Sequence, residues 1–172
     1  MLTVGIAVMS LDGCLTRHGE EGAGFASRED QHFFAETLGT FDCMVMGGAG
    51  YRASRARARV APAPFRVVLT REPEAYTAEA QAGVLEFRSD EPAETIRDLA
   101  RRGFARCALV GGARLLTASV KAGLLDELWL TVEPVAFGSG LRLFEGRVEI
   151  PFELVGVESL GRHTLLIRYR TA

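Results

Sequence analysis

Two short apolar runs in this chain end in paired glycines, and that arrangement restricts the fold more than any other feature. Cys43-Met-Val-Met46 runs into Gly47-Gly48-Ala49-Gly50, and Cys107-Ala-Leu-Val110 runs into Gly111-Gly112 and then a helical pattern. Apolar runs this short, bounded by glycine, read as strands of a sheet covered on both faces. Paired glycines between a strand and a helix start leave no Cβ between the backbone and a ligand. The helix adds unpaired N–H groups and the positive end of its dipole, which suits a phosphate. The same dipeptide also serves as a plain tight turn, and the spacing by itself leaves both readings open.

The rest of the chain repeats the alternation. Val4–Met9, Arg66–Leu69 and the weaker Val84–Phe87 are further strand patterns, and Glu127–Phe137 is a long run rich in β-branched and aromatic residues. Phe152–Leu160 and Thr164–Arg170 flank Gly161-Arg162-His163, a hairpin signal. Ser27 followed by Asp30 resembles a capping box at a helix start that runs through Phe33, Phe34 and Leu38, with Gly39 at the C′ position. A second helix begins at Glu91-Pro92, carries Ile96, Leu99 and Ala100 on one face, and stops at Gly103; a third covers Ala113–Ala122 and ends at Gly123. Tyr51–Pro64, rich in Ala, Arg and Pro, is expected to be an irregular surface connection. The expected fold is therefore a central, mostly parallel α/β sheet flanked by helices, with an antiparallel C-terminal edge.

The chain has 172 residues, the size of one domain, and a hydrophobic share of 48% against 24% charged, as in an average soluble protein. Its apolar stretches fall far short of the roughly 20 residues that a membrane span needs. Leu2–Met9 lacks a basic leader and a small-residue cleavage pattern, so it reads as a buried first strand rather than a signal segment. A net charge of −2 gives no global field for nucleic acid or an anionic membrane. The scattered Cys14, Cys43 and Cys107 suggest free thiols and a reducing, cytoplasmic compartment. No metal site is expected, since His18, His32 and His163 lack ligand spacing with one another and with the cysteines. Gly-x-Ser-x-Gly is absent, so a serine nucleophile is not expected either.

Gly48, Gly50 and Ala53 loosely satisfy the Gly-x-Gly-x-x-Ala dinucleotide fingerprint. Tyr51–Val60, however, lacks the apolar stripe of a Rossmann crossover helix, and Thr70-Arg71 stands where that fold places an acidic residue. A basic residue at that strand end favours NADP over NAD.

The run Leu109-Val-Gly-Gly-Ala-Arg-Leu-Leu-Thr-Ala-Ser-Val-Lys-Ala-Gly-Leu-Leu-Asp-Glu-Leu128 resembles a signature of the dihydrofolate-reductase-like superfamily, and within it the RibD C-terminal domain, the pyrimidine reductase of riboflavin biosynthesis. The likeness continues through Leu130–Val135, Gly138-Ser-Gly140 and Leu143-Phe144, and at the front through Ser10-Leu-Asp-Gly13 and the Ser27–Asp30 helix start. His-x-Glu with Pro-Cys-x-x-Cys, the zinc-deaminase pattern often fused to this reductase, does not occur.

The resemblance implies an NADPH-dependent reductase that delivers hydride to a C=N bond of a small heterocycle, such as a ribosylaminopyrimidine of the riboflavin pathway. A pterin-type reductase of the same fold and a non-catalytic dinucleotide-binding module are the alternatives. A homodimer is implied by resemblance alone. The implied cofactor residues are Gly47, Gly48, Gly50, Thr70, Arg71, Ser89, Gly111, Gly112 and Leu115. Arg71 offers a guanidinium fork for a 2′-phosphate, whereas Ser89 is equally a helix cap. On the substrate side the loop after the first strand supplies Ser10, Asp12 and Cys14, and Glu133 is a pocket wall or an edge residue. Asp12 and Asp30 are the catalytic candidates. Asp12 is equally a turn residue, and Asp30 equally a cap partner of Ser27 that could instead hold an amino-pyrimidine ring or relay a proton, with Glu29 the competing acid on that helix. Members of the family usually carry Lys or Arg after the glycine at position 13, where this chain has Cys14; that departure weakens the case for a phosphorylated substrate. Arg52, Arg55, Arg57 and Arg59 read as a solvated loop or a phosphate contact.

Overall fold

The computed structural model describes residues 1–58 and 64–172, the side chains of 56–58 excepted. Its elements are β1 (Leu2–Ser10), α1 (Arg28–Leu38), β2 (Cys43–Gly47), α2 (Gly48–Ala58), β3 (Phe65–Leu69), β4 (Leu85–Arg88), α3 (Pro92–Arg101), β5 (Arg106–Val110), α4 (Ala113–Lys121), β6 (Glu127–Glu133), β7 (Phe152–Ser159) and β8 (Leu165–Thr171), with a 3-10 turn at Pro73–Tyr76. The strands form one sheet in the order β4-β3-β2-β5-β1-β6-β8-β7. Pairing is parallel from β4 to β6, and β8 and β7 close the edge antiparallel. This is the mostly parallel sheet with an antiparallel C-terminal edge that the alternating pattern requires.

Successive strand side chains go to opposite faces, so each buried strand feeds two cores. Cys43, Val45, Val67, Cys107, Leu109 and Leu128 pack under α3 and α4 through Ile96, Leu99, Leu115, Leu116 and Val120. Val4, Ile6, Met44, Met46, Val68 and Ala108 pack on the other face, beneath Phe34 and Leu38 of α1 and Tyr51 of α2. Cys43 and Cys107 oppose one another in register, and all three cysteines are free and buried. The neighbouring Cys43 thiol, together with burial, pushes the Cys107 thiol far above its ordinary range, which makes it unreactive.

Three expectations need correction. The segment from Tyr51 is helical to Ala58 rather than irregular; of the rest of the expected connection, 59–63 lie outside the described residues and Pro64 is a bend before β3. Helix α2 forms without an apolar stripe because alanine and arginine are good helix formers. Among its described side chains Tyr51 anchors it: 1% exposed, its hydroxyl donates to Glu79 at 2.7 Å. Ion pairs from Arg52 to Glu21 and from Arg55 to Glu79 hold the outer face.

Second, the run from Glu127 does not continue to Phe137 as a strand. Pro134 lacks an N–H for the ladder, and Val135 turns back to donate to the Glu133 carbonyl at 2.8 Å. Third, Gly39 is the C-cap of α1 at φ −62°, a right-handed conformation that makes no use of glycine's freedom, whereas Gly103 and Gly123 follow α3 and α4 at φ 90° and 64°.

Candidate active site

Register places the ends of the parallel strands level with one another. Ile6 pairs with Val110 and Val110 with Met46, so the two glycine turns leave adjacent strands, β2 and β5, at the same edge. Helix α2 then departs to one face of the sheet and α4 to the other. Diverging connections of this kind open a crevice outside the strand ends, the position where α/β sheets bind ligands.

Gly111 and Gly112 stand at φ 56° and 79°, in the left-handed region, and a Cβ at either would meet nothing within 4 Å. The backbone therefore requires glycine here, and the space before it is open. Gly112 is the N-cap of α4 and has no side chain to cap it; Leu116 N–H makes the first helical bond, to Gly112 O at 3.1 Å. The amides of Ala113, Arg114 and Leu115 precede that bond and face out of the helix start. Leu115 itself is core, 4% exposed, so only its amide can reach a ligand.

Gly47 ends β2 with nothing within 4 Å of a built Cβ. At Gly48 a Cβ would meet Thr70 Cβ at 3.5 Å and the Leu69 carbonyl at 3.6 Å, so the turn after β2 rests on the end of β3. Gly50 lies in the first turn of α2, not in a loop before it. Thr70 receives Glu72 N–H on its Oγ1 at 3.3 Å, and Arg71 beside it is exposed with no carboxylate partner among the described residues. Ser89 is exposed and does not cap α3, whose N-cap is Glu91. Arg52 and Arg55 are held in their ion pairs, while the Arg57 side chain and Arg59 lie outside the described residues.

On the other side of the crevice, the loop after β1 is tied to the loop after β6. Asp12 accepts the Ser10 hydroxyl at 2.5 Å and the N–H groups of Phe137 and Gly138 at 3.2 and 2.7 Å. The Ser10 bond first, then the Gly138 amide, pulls the Asp12 carboxyl down to about 2. Ser10 and Cys14 are fully buried, with Ser10 Oγ also accepting Cys14 N–H at 2.9 Å. Cys14 pairs backbone-to-backbone with Arg142, whose guanidinium donates to the Asp12 carbonyl and lies 3.7 Å from a built Cβ at Gly13. A cation from a distant loop thus reaches the turn where the sequence has only Cys14. Gly140 permits this approach, since a Cβ there would collide with the Thr16 carbonyl.

Glu133 pairs in register with Ser10, which sets the acidic pair beside the loop after β1. Ser27 caps α1 by accepting Asp30 N–H at 3.2 Å, and Asp30 is buried, 7% exposed. Burial pushes the Asp30 carboxyl upward; a hydrogen bond from Thr131 opposes the shift and the nearby Glu133 charge adds to it. Glu133, 3% exposed, accepts Ser27 N–H at 2.8 Å and the Thr164 hydroxyl at 3.0 Å. Thr131, Thr164 and Arg142 complete the site; Thr164 and Arg142 carried no sequence signal of their own. Thr131 could have been found from β6 alternation, two positions before Glu133. Among the described residues no cluster of His, Cys, Asp and Glu could hold a metal, and no helix is long and apolar enough to cross a membrane.

The eight-stranded sheet, parallel but for its C-terminal edge, is the fold of dihydrofolate-reductase-like proteins. The family described as RibD C-terminal domain matches residues 4–166, and the chain belongs to that family, a riboflavin-pathway reductase family. Among solved structures it is similar to a Thermotoga maritima diaminohydroxyphosphoribosylaminopyrimidine deaminase/5-amino-6-(5-phosphoribosylamino)uracil reductase at 17% identity and TM-score 0.76. That match covers 99% of this chain and 56% of the other, so the chain spans little more than half the length of that protein. A pyrimidine reductase-like protein from Corynebacterium diphtheriae aligns at 16% identity and TM-score 0.76, over 99% and 92% of the two chains. Enterococcus faecalis dihydrofolate reductase, in complex with NADP(H) and RAB-propyl, aligns at 19% and TM-score 0.69, over 99% and 96%. At these identities the likeness is one of fold. No curated protein matches the sequence.

Proposed function

We propose that the chain is an NADPH-dependent reductase acting on a C=N bond of a phosphorylated ribosylaminopyrimidine. The observation that carries this reading is the pairing of open glycine turns with a buried carboxyl, Asp30, at one edge of the sheet. The turns fit a dinucleotide: Gly47, Gly111 and Gly112 leave space where any side chain would intrude, and the uncapped start of α4 offers amides to a diphosphate. Gly48, Gly50, Thr70 and Ser89 would flank it, with Arg71 at the 2′-phosphate. When bound, the cofactor supplies the hydride.

Asp30 gives the site its acid. Its raised proton affinity lets the carboxyl hold a proton and donate it toward a ring or imine nitrogen, or hydrogen-bond an amino-pyrimidine edge. Asp12 serves the same site by fixing the loop that Ser10 and Cys14 shape from within. Arg142 answers the missing basic residue at position 14, since its guanidinium stands over Gly13 without a carboxylate partner among the described residues. That cation favours a phosphorylated substrate over a pterin. A homodimer belongs to the same reading, supported by Leu154, Val155 and Val157, which the outermost strand leaves exposed. The free, buried thiols support a cytoplasmic location.

NADPH oxidation measured with 5-amino-6-(5-phosphoribosylamino)uracil and with dihydrofolate tests the reading. Turnover of the first, with Arg142→Ala raising its KM several-fold, is expected. Turnover of dihydrofolate alone would replace the substrate, and thermal protection by NADPH without any turnover would leave a binding module.

A further inference from the structure

We propose that Glu133 is a positioning residue for Asp30: its buried carboxylate clasps the start of α1 to β6 and to the β7–β8 hairpin. The hydrogen-bond directions close without a gap. Ser27 N–H donates to Glu133 Oε1 at 2.8 Å, and Thr164 Oγ1 donates its one proton to Glu133 Oε2 at 3.0 Å. Thr164 Oγ1 then accepts from Ser27 Oγ at 3.2 Å, and Ser27 Oγ accepts Asp30 N–H at 3.2 Å. Both Glu133 oxygens act as acceptors within the protein, and the residue is 3% exposed, so the carboxylate is turned inward to the clasp.

Asp30 therefore owes its place to a contact made three residues earlier in the chain, at Ser27. The clasp spans 106 positions from Ser27 to Glu133 and 31 from Glu133 to Thr164, which is why no local pattern reveals it.

The same carboxylate acts through space. Glu133 is the charged group that bears on Asp30 from β6, and it opposes ionisation there. Of the other charges around Asp30, His32 and Glu36 pair with each other on the exposed side of α1, and Glu29 lies against Gly161 in the β7–β8 turn. Arg28, Arg162 and His163 are exposed, and Asp12 is bound to Phe137 and Gly138. This inference rests on Asp30 being the proton-holding group of the proposed reductase, but its test needs no substrate.

The test is the carboxyl-carbon NMR titration of Asp30, with amide hydrogen exchange, in the full chain and three variants. Glu133→Gln keeps the size and can still bridge Ser27 and Thr164 while removing the charge, so the Asp30 midpoint should fall. Thr164→Val and Glu133→Ala should speed exchange of the Ser27 and Asp30 amides by roughly fivefold, the loss typical of a helix N-terminus deprived of its cap. An unmoved Asp30 midpoint in Glu133→Gln, or unchanged exchange in Thr164→Val, would overturn the proposal even if Glu133→Ala does not fold. In NADPH-coupled assays Glu133→Gln should displace the pH profile of kcat and leave KM in place; a raised KM with an unmoved profile would make Glu133 a substrate contact. If Asp30 responds as stated but no pyrimidine is reduced, the clasp stands and the proposed function fails.

Discussion

The carboxylate of Asp12 accepts the Gly138 amide at 2.7 Å, joining two loops that lie 126 positions apart in sequence. With the Phe137 amide and the Ser10 hydroxyl, that contact makes Asp12 a clip between the ends of β1 and β6. Its depressed carboxyl sets the sign of the pH effect. The contribution is present above the unfolded value of 3.8 and fades as pH falls through about 2. Asp12→Ala should therefore open the 137–142 loop to proteolysis at neutral pH and raise KM, leaving NADPH binding close to wild type. An intact loop in that variant would return Asp12 to the list of groups free to meet the substrate.

Replacing Gly47 separates space from strain. Gly47 has no positive φ and no atom near its missing Cβ, so Gly47→Val should fold normally and project into the proposed nucleotide crevice. NADPH at about 100 times its Kd should raise the melting temperature of the wild type by roughly 5–10 °C, equivalent to about 2.7 kcal/mol. That rise should vanish in the variant. Gly112→Ala differs, since φ 79° also strains the fold by about 1–2 kcal/mol without ligand. Full NADPH protection of Gly47→Val in a thermal melt would remove this turn from the cofactor site.

The mostly parallel sheet with its antiparallel edge and both glycine turns were legible because buried parallel strands and glycine-bounded turns leave local, periodic marks. Helix α2 was not, because among its described side chains burial rests on Tyr51 and the outer face on ion pairs, neither of which has a helical period. The expectation that a poor apolar stripe meant a loop confused helix propensity with helix packing. At the site, Asp30 and Glu133 were visible as acids on the right elements, but their division of labour was not. Which of two carboxyls is free depends on Ser27, Thr131 and Thr164, brought in from three elements. Arg142 was invisible for the same reason, since only the Gly140 turn brings it against Gly13.

Arg71 should decide between the two nicotinamide cofactors. It is exposed at the end of β3, next to Thr70, and pairs with no carboxylate among the described residues. A guanidinium bound to a 2′-phosphate gains a charge-assisted contact that NADH cannot make. Arg71→Glu should weaken NADPH by about tenfold to a hundredfold and leave NADH nearly unchanged. Equal losses for both cofactors, measured by calorimetric titration, would take Arg71 out of the phosphate site.

Asp30 should carry a stability penalty along with its chemistry. Burial raises its carboxyl above the unfolded value of 3.8, so the folded state favours the protonated form. Stability then falls as pH rises from the unfolded value through the raised one, and the penalty is complete above both. Asp30→Asn removes the titration while keeping an amide able to meet the Thr131 hydroxyl. The variant should gain stability relative to wild type at pH 7 to 8 and lose that advantage below pH 4. Its kcat should drop by about a hundredfold or more, the range of a lost general acid, with NADPH affinity preserved. Paired melts at pH 4 and pH 8 decide the point: a difference between variant and wild type that does not change with pH would mean that folding does not shift the Asp30 titration, and the proton would have to come from elsewhere.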